Sequence, residues 1–222
     1  MQIELWSDFA CPWCALGVRR LHVVLAQFVH GDDVQVTHRA FELDPRAPAR
    51  RPQTMNEVLA MKYGMSPEQV RAGHDRLGAL GREVGMEFNF DRIQLGSTFD
   101  AHRLARAARG TGIEDALVVG LFAAYFTEGE LLSDHQLLLR VATAAGMDRD
   151  VAAGILAGDA HAADVRADEA LAQDMGITGV PYFVINGKWA IPGAQDVDTM
   201  VLALDRAWER TDGVEHAGTP TA

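Results

Sequence analysis

The stretch QIELWSDFACPWCALGVRR, residues 2–20, decides how the chain folds. Gln2 to Ser7 reads as a strand, with Ile3, Leu5 and Trp6 apolar. Asp8, Phe9 and Ala10 follow, and then two cysteines separated by Pro12 and Trp13. Proline is favoured at the first position of a helix, where its missing N–H would have no partner anyway. Pro12 in that position makes Cys11 the N-cap and sets Cys14 one turn in, at the third helical residue. The apolar series Leu16, Leu21, Val24, Leu25 and Phe28 then carries the helix to about His30, with Gly31 closing it.

Two cysteines at this spacing on a helix start can close a small disulfide ring. Unpaired backbone donors and the helix dipole favour a negative charge on the first of them. Cys11 is therefore the expected attacking thiol, and Cys14, further inside, the resolving thiol that displaces whatever Cys11 captures. Neither Pro12 nor Trp13 is charged, and Asp8, the nearest ionisable group, has the wrong sign to help, so the stabilisation of a Cys11 thiolate is expected to be moderate rather than extreme. The same spacing forms half of many zinc sites. These are the only two cysteines, however, and the eight histidines include no pair at ligand spacing beside a second thiol, so no metal is expected. A purely structural disulfide is disfavoured too, because a loop of two intervening residues constrains the unfolded chain little.

With 222 residues the chain can bury an ordinary core without disulfide staples, which leaves the cysteines available for chemistry. Its 20 basic and 31 acidic side chains give a formal charge of −11, which repels phosphate backbones and anionic lipid surfaces. Neither nucleic acid nor membrane is an expected partner. Met1 to Trp6 has no basic start, and no apolar run approaches the roughly 18 residues of a membrane span, so the expected location is cytoplasmic. In a reducing compartment a lone cysteine pair is more often catalytic than a permanent cross-link.

Beyond the first helix, Val34, Val36 and His38 alternate with polar residues before Phe41 and Leu43, marking a second strand that ends in the proline-containing stretch Asp44 to Pro52. From about Thr54 to Ala160 the pattern is helical only. Ser66 with Gln69 and Ser133 with Gln136 look like capping boxes, and Ile113, Leu117, Leu121 and Ala124 make one apolar helix face. A helix from about His161 to Met175 precedes a strand at Tyr182 to Ile185, an Asn186-Gly187 turn and a return strand from Lys188 to Ile191. Val197, Met200, Val201, Leu204 and Trp208 share a face of a last helix. The expected organisation is one α/β domain from residues 1–53 plus 161–211, an all-helical insertion domain over 54–160, and a disordered tail at 212–222.

Late in the chain, Gly179, Val180, Pro181 and Tyr182 enter the hairpin, and a proline there removes a backbone donor. A cis peptide is one reason for it; a trans proline opening an edge strand is the other. The segment from Trp6 to Arg20, together with GVPYFVING at 179–187, PGAQ at 192–195, STFDAHRLAR at 97–106 and AYFTEG at 124–129, resembles the DsbA-like thioredoxin family, especially its FrnE-type branch. The resemblance spans nearly the whole chain. It implies a thioredoxin fold interrupted by a large helical domain, disulfide oxidoreductase or isomerase activity, and roles for Cys11, Cys14 and a cis Pro181 lying against them. Tyr182 departs from relatives that often carry a smaller polar residue there.

Pro12, Trp13, Val180 and Tyr182 are the expected substrate-binding residues around the thiols, joined by His102 and Phe126 from the insertion. His102 and Asp100 either line the cleft or satisfy a buried helix, and Phe99, Tyr125 and Phe126 either form an apolar wall or plain core. The expected partners are protein or small-molecule thiols and disulfides acting on a monomer or homodimer. No cofactor is expected beyond the Cys11–Cys14 couple, with glutathione a candidate co-substrate. Two alternatives stand beside this reading. One is a glutathione-dependent isomerase or transferase of the kappa-class or chromene-carboxylate type, whose members typically carry a serine-type residue instead of two cysteines. The other is a redox-sensing binding module.

Overall fold

The computed structural model of the chain describes residues 1–216, with side chains through residue 210. Its centre is β1 (Gln2–Ser7), followed by α1 (Pro12–Gln27) and β2 (Gln35–Ala40). Six helices come next: α2 (Met55–Tyr63), α3 (Pro67–Glu83), α4 (Phe99–Ala108), α5 (Glu114–Ala123), α6 (His135–Ala144) and α7 (Arg149–Ala157). The chain then returns through α8 (Ala162–Asp174) to β3 (Tyr182–Ile185), β4 (Trp189–Pro192) and α9 (Val197–His216). This is a thioredoxin-like α/β fold with a large helical insertion.

The sheet runs β2-β1-β3-β4, with β2 parallel to β1 and the other two pairings antiparallel. β1 is buried because both of its faces are covered. Ile3 and Leu5 pack on the side of α1, while Trp6 joins Ala172, Ile177 and Val184 beneath α8 and donates its indole N–H to the Asp168 carbonyl at 3.1 Å. Beside it the Asp168 carboxylate is almost fully buried and bridges Arg39 and Arg109, each at 2.6 Å. At the β3–β4 turn, Asn186 (φ 49°) and Gly187 (φ 66°) both take the left-handed conformation that the Asn-Gly pair predicts.

Several ends differ from the sequence reading. α1 stops at Gln27 rather than His30, and Gly31 lies in a short 3-10 turn where a Cβ would come within 2.1 Å of the Leu25 carbonyl oxygen. β2 ends at Ala40; the Phe41 N–H still bonds the Ser7 carbonyl of β1 at 3.1 Å, and the Leu43 N–H then turns to the Asp8 carboxylate at 2.7 Å. The capping box at Ser66 and Gln69 is present, and a second sits at Thr54 and Glu57. At α6 the cap is Asp134, whose carboxylate accepts the Gln136 N–H, while the Ser133 hydroxyl donates to the Ala49 carbonyl. α5 runs on into one π-helical turn, Ala124–Glu128. α9 continues to His216, five residues into the stretch read as a disordered tail, and residues 217–222 of that stretch lie outside the described residues.

Candidate active site

Cys11 caps α1 in extended conformation (φ −96°, ψ 113°), and its carbonyl accepts the N–H groups of Cys14 at 3.0 Å and Ala15 at 3.2 Å. The turn before it closes through Cys11 N–H to the Asp8 carbonyl at 3.0 Å. Both cysteines are free thiols. Cys11 is 6% exposed and Cys14 is fully buried, so a partner can touch only the first. The Val180–Pro181 peptide is cis, and the Cys11 thiol donates to the Val180 carbonyl at 3.7 Å. The early cysteine pair and the late proline therefore meet, as the family resemblance implied.

Gly17 permits that approach. A Cβ built on it would stand 3.1 Å from Pro181 Cγ and 3.4 Å from the Phe183 ring, so only glycine lets the proline loop rest on α1 without displacement. The loop is pinned from its other side by Gly193 N–H to the Pro181 carbonyl at 2.8 Å.

Behind the thiols the site is polar and closed. Burial pushes the Cys14 thiol well above its ordinary range, Cys11 beside it and the negative charge of Asp8 add to the rise, and a backbone hydrogen bond from Asp8 opposes it. The Asp8 carboxylate is 2% exposed and accepts the N–H groups of Ala10 at 3.1 Å and Leu43 at 2.7 Å. His102 Nε2 lies 3.5 Å from Asp8 Oδ1, and the imidazole packs on Phe9 with ring centres 4.7 Å apart. Burial raises the Tyr125 hydroxyl, with Asp8 contributing, and burial likewise raises Glu42, against the pull of Arg166 at 2.5 Å and of His102.

The rim is apolar. Trp13 is 38% exposed, with Pro12 and Val180 half-buried. Of the expected substrate-binding residues, Pro12 and Trp13 adjoin Cys11 and Val180 faces its thiol, whereas Tyr182 packs against Trp6, Ala172, Ile177 and Val184 on the α8 side of the sheet.

Two further expected residues do not belong to that surface. Phe126 is fully buried among Phe88, Phe90, Phe122 and Tyr125, because the π-helical turn after α5 rotates it into the insertion core. His102 is 3% exposed, its ring packed on Phe9 and its Nε2 facing Asp8. Asp100 is structural, pairing with Arg103 at 2.7 Å and His135 at 2.9 Å. Asp8 itself was underrated: an acid set between apolar strand residues and Phe9 is the signal that a carboxylate is going into the interior. Among the described residues no group of three or more histidine, cysteine or acidic side chains is placed to hold a metal ion, and no helix is long and apolar enough to cross a membrane.

Comparison with known proteins agrees with this geometry. No curated protein sequence matches the chain significantly. Among solved structures, a probable DsbA oxidoreductase from Streptomyces coelicolor is 39% identical with a TM-score of 0.90, the match covering 100% of this chain and 93% of that one. A 2-hydroxychromene-2-carboxylate isomerase shares the fold at 16% identity and TM-score 0.72, over 96% of this chain and 99% of its own. So does a cytosolic disulfide reductase, DsbM from Pseudomonas aeruginosa with GSH, at 15% identity and TM-score 0.64, over 94% and 100%. The family model described as a DSBA-like thioredoxin domain matches residues 2–205, nearly all of what the structure describes, and the chain belongs to that family.

Proposed function

We propose that the chain is a thiol–disulfide oxidoreductase in which Cys11 is the nucleophile and Cys14 the resolving thiol. One observation carries the reading: the reachable thiol caps α1 and faces the Val180 carbonyl at 3.7 Å, with the second, fully buried thiol directly behind it. The N-terminus of α1 favours an anion at Cys11. Its thiolate attacks one sulfur of a substrate disulfide, that S–S bond breaks, and the other substrate sulfur leaves with the electron pair. Cys14 then attacks Cys11, releasing the second substrate sulfur and closing the Cys11–Cys14 disulfide; two electrons have passed to the substrate. The reverse sequence donates a disulfide.

Trp13 offers apolar contact to the substrate, and the backbone at Val180 can pair with an extended segment of it. Protein and small-molecule disulfides are the substrate class, with glutathione a candidate reductant, a role supported by the GSH carried by a relative of the same fold. The test is reduction of insulin or of a small aromatic disulfide. Activity should vanish in Cys11→Ser, and full turnover in that variant would end the proposal.

The fold shared with the chromene-carboxylate isomerase supports a second reading, glutathione-dependent isomerisation or transfer. That chemistry has no use for a resolving thiol. Glutathione-dependent turnover of an aromatic substrate that survives Cys14→Ser would favour it.

A further inference from the structure

Substrate pairing depends on how high the Val180–Pro181 loop stands over Cys11. The strand that follows cannot set that height alone, because Pro181 lies before the first residue of β3. The rear of the loop is held by the turn after β4, where the Gly193 N–H donates to the Pro181 carbonyl at 2.8 Å. That turn belongs to the PGAQ stretch, residues 192–195, which the exchange chemistry leaves without a task. Gly193 takes the left-handed conformation (φ 75°), the Gln195 N–H returns to the Gly193 carbonyl at 3.1 Å, and the Gln195 side-chain amide donates to the Pro192 carbonyl at 2.7 Å. One residue later the Asp196 carboxylate accepts the Thr199 N–H at 2.8 Å and starts α9.

Arg20 fastens the turn to α1. Its Nη1 donates to the carbonyls of Ala194 at 2.7 Å and Gln195 at 3.0 Å. Arg20 is 8% exposed, and among the described residues it makes no ion pair. Burying a charge without a counter-charge is unfavourable, so a guanidinium spent on two backbone carbonyls points to a task at that turn. Cys14, Gly17 and Arg20 follow one another at three-residue intervals, the spacing of neighbours on one side of a helix. The first is the buried thiol. The second meets Pro181, which a Cβ at Gly17 would approach to 3.1 Å, and the third holds the turn that holds Pro181 from behind. The loop's height is thus measured from the same helix that begins at the cysteines.

We propose that Arg20 is a positioning residue for substrate: by clamping the 193–195 turn to α1, it holds the Val180 backbone where an extended peptide disulfide can pair with it in front of Cys11. The proposal rests on the dithiol reading above. Arg20 takes no part in bond making or breaking; Cys11 attacks the substrate sulfur and Cys14 closes the ring as already described. Without the clamp, a peptide must order the turn and the loop as it binds, and that cost falls on KM for substrates long enough to use the Val180 backbone. A small disulfide with no peptide backbone escapes it. Lysine keeps the charge on a stem one bond shorter, and so restores the clamp only in part.

The clamp is tested by mixing the reduced full-length protein in a stopped-flow instrument with two disulfides. One is a synthetic peptide dimer whose halves carry a fluorophore and a quencher and extend several residues on each side of the cysteine. The other is 5,5′-dithiobis(2-nitrobenzoate), which has no backbone to pair. In Arg20→Met the second-order rate constant for the peptide should fall roughly tenfold more than that for the small disulfide, the loss lying in the half-saturating peptide concentration rather than in the limiting rate. Arg20→Lys should lie between Arg20→Met and the wild type. Leu204→Ala, which opens a cavity in the core under α9, serves as the comparison for lost stability and should keep the wild-type ratio of the two rate constants. A wild-type ratio in Arg20→Met, or an equal change of ratio in Leu204→Ala, overturns the clamp alone. Should Arg20→Met fail to fold, Arg20→Lys decides: a ratio changed by about threefold or more supports the clamp, and a smaller change overturns it. A wild-type protein that cleaves neither disulfide overturns the dithiol reading and the clamp together.

Discussion

Replacing Cys14 by alanine removes a buried thiol whose ionisation the fold opposes, and the consequence appears at alkaline pH. In the unfolded chain this thiol titrates near pH ~8.5. In the folded chain burial, the adjacent Cys11 and the charge of Asp8 together hold it protonated well above that. Raising the pH through 8.5 therefore strips a proton from the unfolded state first, and stability falls because the native state binds more protons than the unfolded one. The loss approaches about 1.4 kcal/mol per pH unit and accumulates to about 2 kcal/mol between pH ~7 and ~10 while the native thiol stays protonated. The stability is fully present below the unfolded titration and disappears as the pH climbs toward the folded one. Urea unfolding of the reduced protein under a phosphine reductant, with Cys14→Ala run in parallel at each pH, isolates this contribution, since tyrosine and lysine titrate alike in both proteins. The gap between the two curves should shift by about 2 kcal/mol against the wild type on going from pH ~7 to ~10. Curves that stay parallel would refute the reasoning, because they would mean that Cys14 ionises as easily inside the fold as outside it.

Gly17→Val puts a branched side chain where a Cβ alone already lies 3.1 Å from Pro181, so the proline loop must lift from α1. Thermal or urea unfolding should show about 1–3 kcal/mol lost, and disulfide reduction should fall disproportionately; Gly73→Ala, with nothing within 4 Å, should be neutral or gain up to about 1 kcal/mol. Asp168→Ala deprives Arg39 and Arg109 of their shared carboxylate, and a loss of about 3 kcal/mol is expected, at the lower end for a broken buried pair because both guanidiniums keep some exposure. A loss under about 1 kcal/mol would show the pairs to be no stronger than surface ones.

What the sequence revealed and what it hid divide along physical lines. Pro12 and the two cysteines specify their own geometry through local rules, and so does Asn186-Gly187; no distant residue has to agree. Pro181 was legible only with Cys11 in view, because a cis peptide becomes the better explanation once a partner is known to lie against it. Asp8 resisted the local view. Judged by charge alone it opposes a thiolate, but its carboxylate is satisfied by the N–H groups of Ala10 and of Leu43, and the second arrives from beyond β2. Its neighbour His102 is brought in by the fold from the insertion, a contact no periodicity encodes. Phe126 was misplaced for a related reason: one π-helical turn shifts the face on which an aromatic lands, and helical spacing cannot reveal it. At α6, Ser133 and Asp134 are both good caps in sequence, and the choice between them was made by Ala49, which takes the serine hydroxyl.

The order of strands in the sheet also governs how the protein is made. β1, made before the other strands, sits in the interior of the sheet, and one of its two neighbours, β3, follows only after the helical insertion. Until Tyr182 to Ile185 arrive, the growing chain carries a strand of Ile3, Leu5 and Trp6 with one side unpaired, the kind of edge that invites association with other chains. Pairing across so long a separation is also slow. Nascent chains halted before β3 should therefore be the species most in need of chaperones, and a truncation there should aggregate rather than yield a smaller working protein.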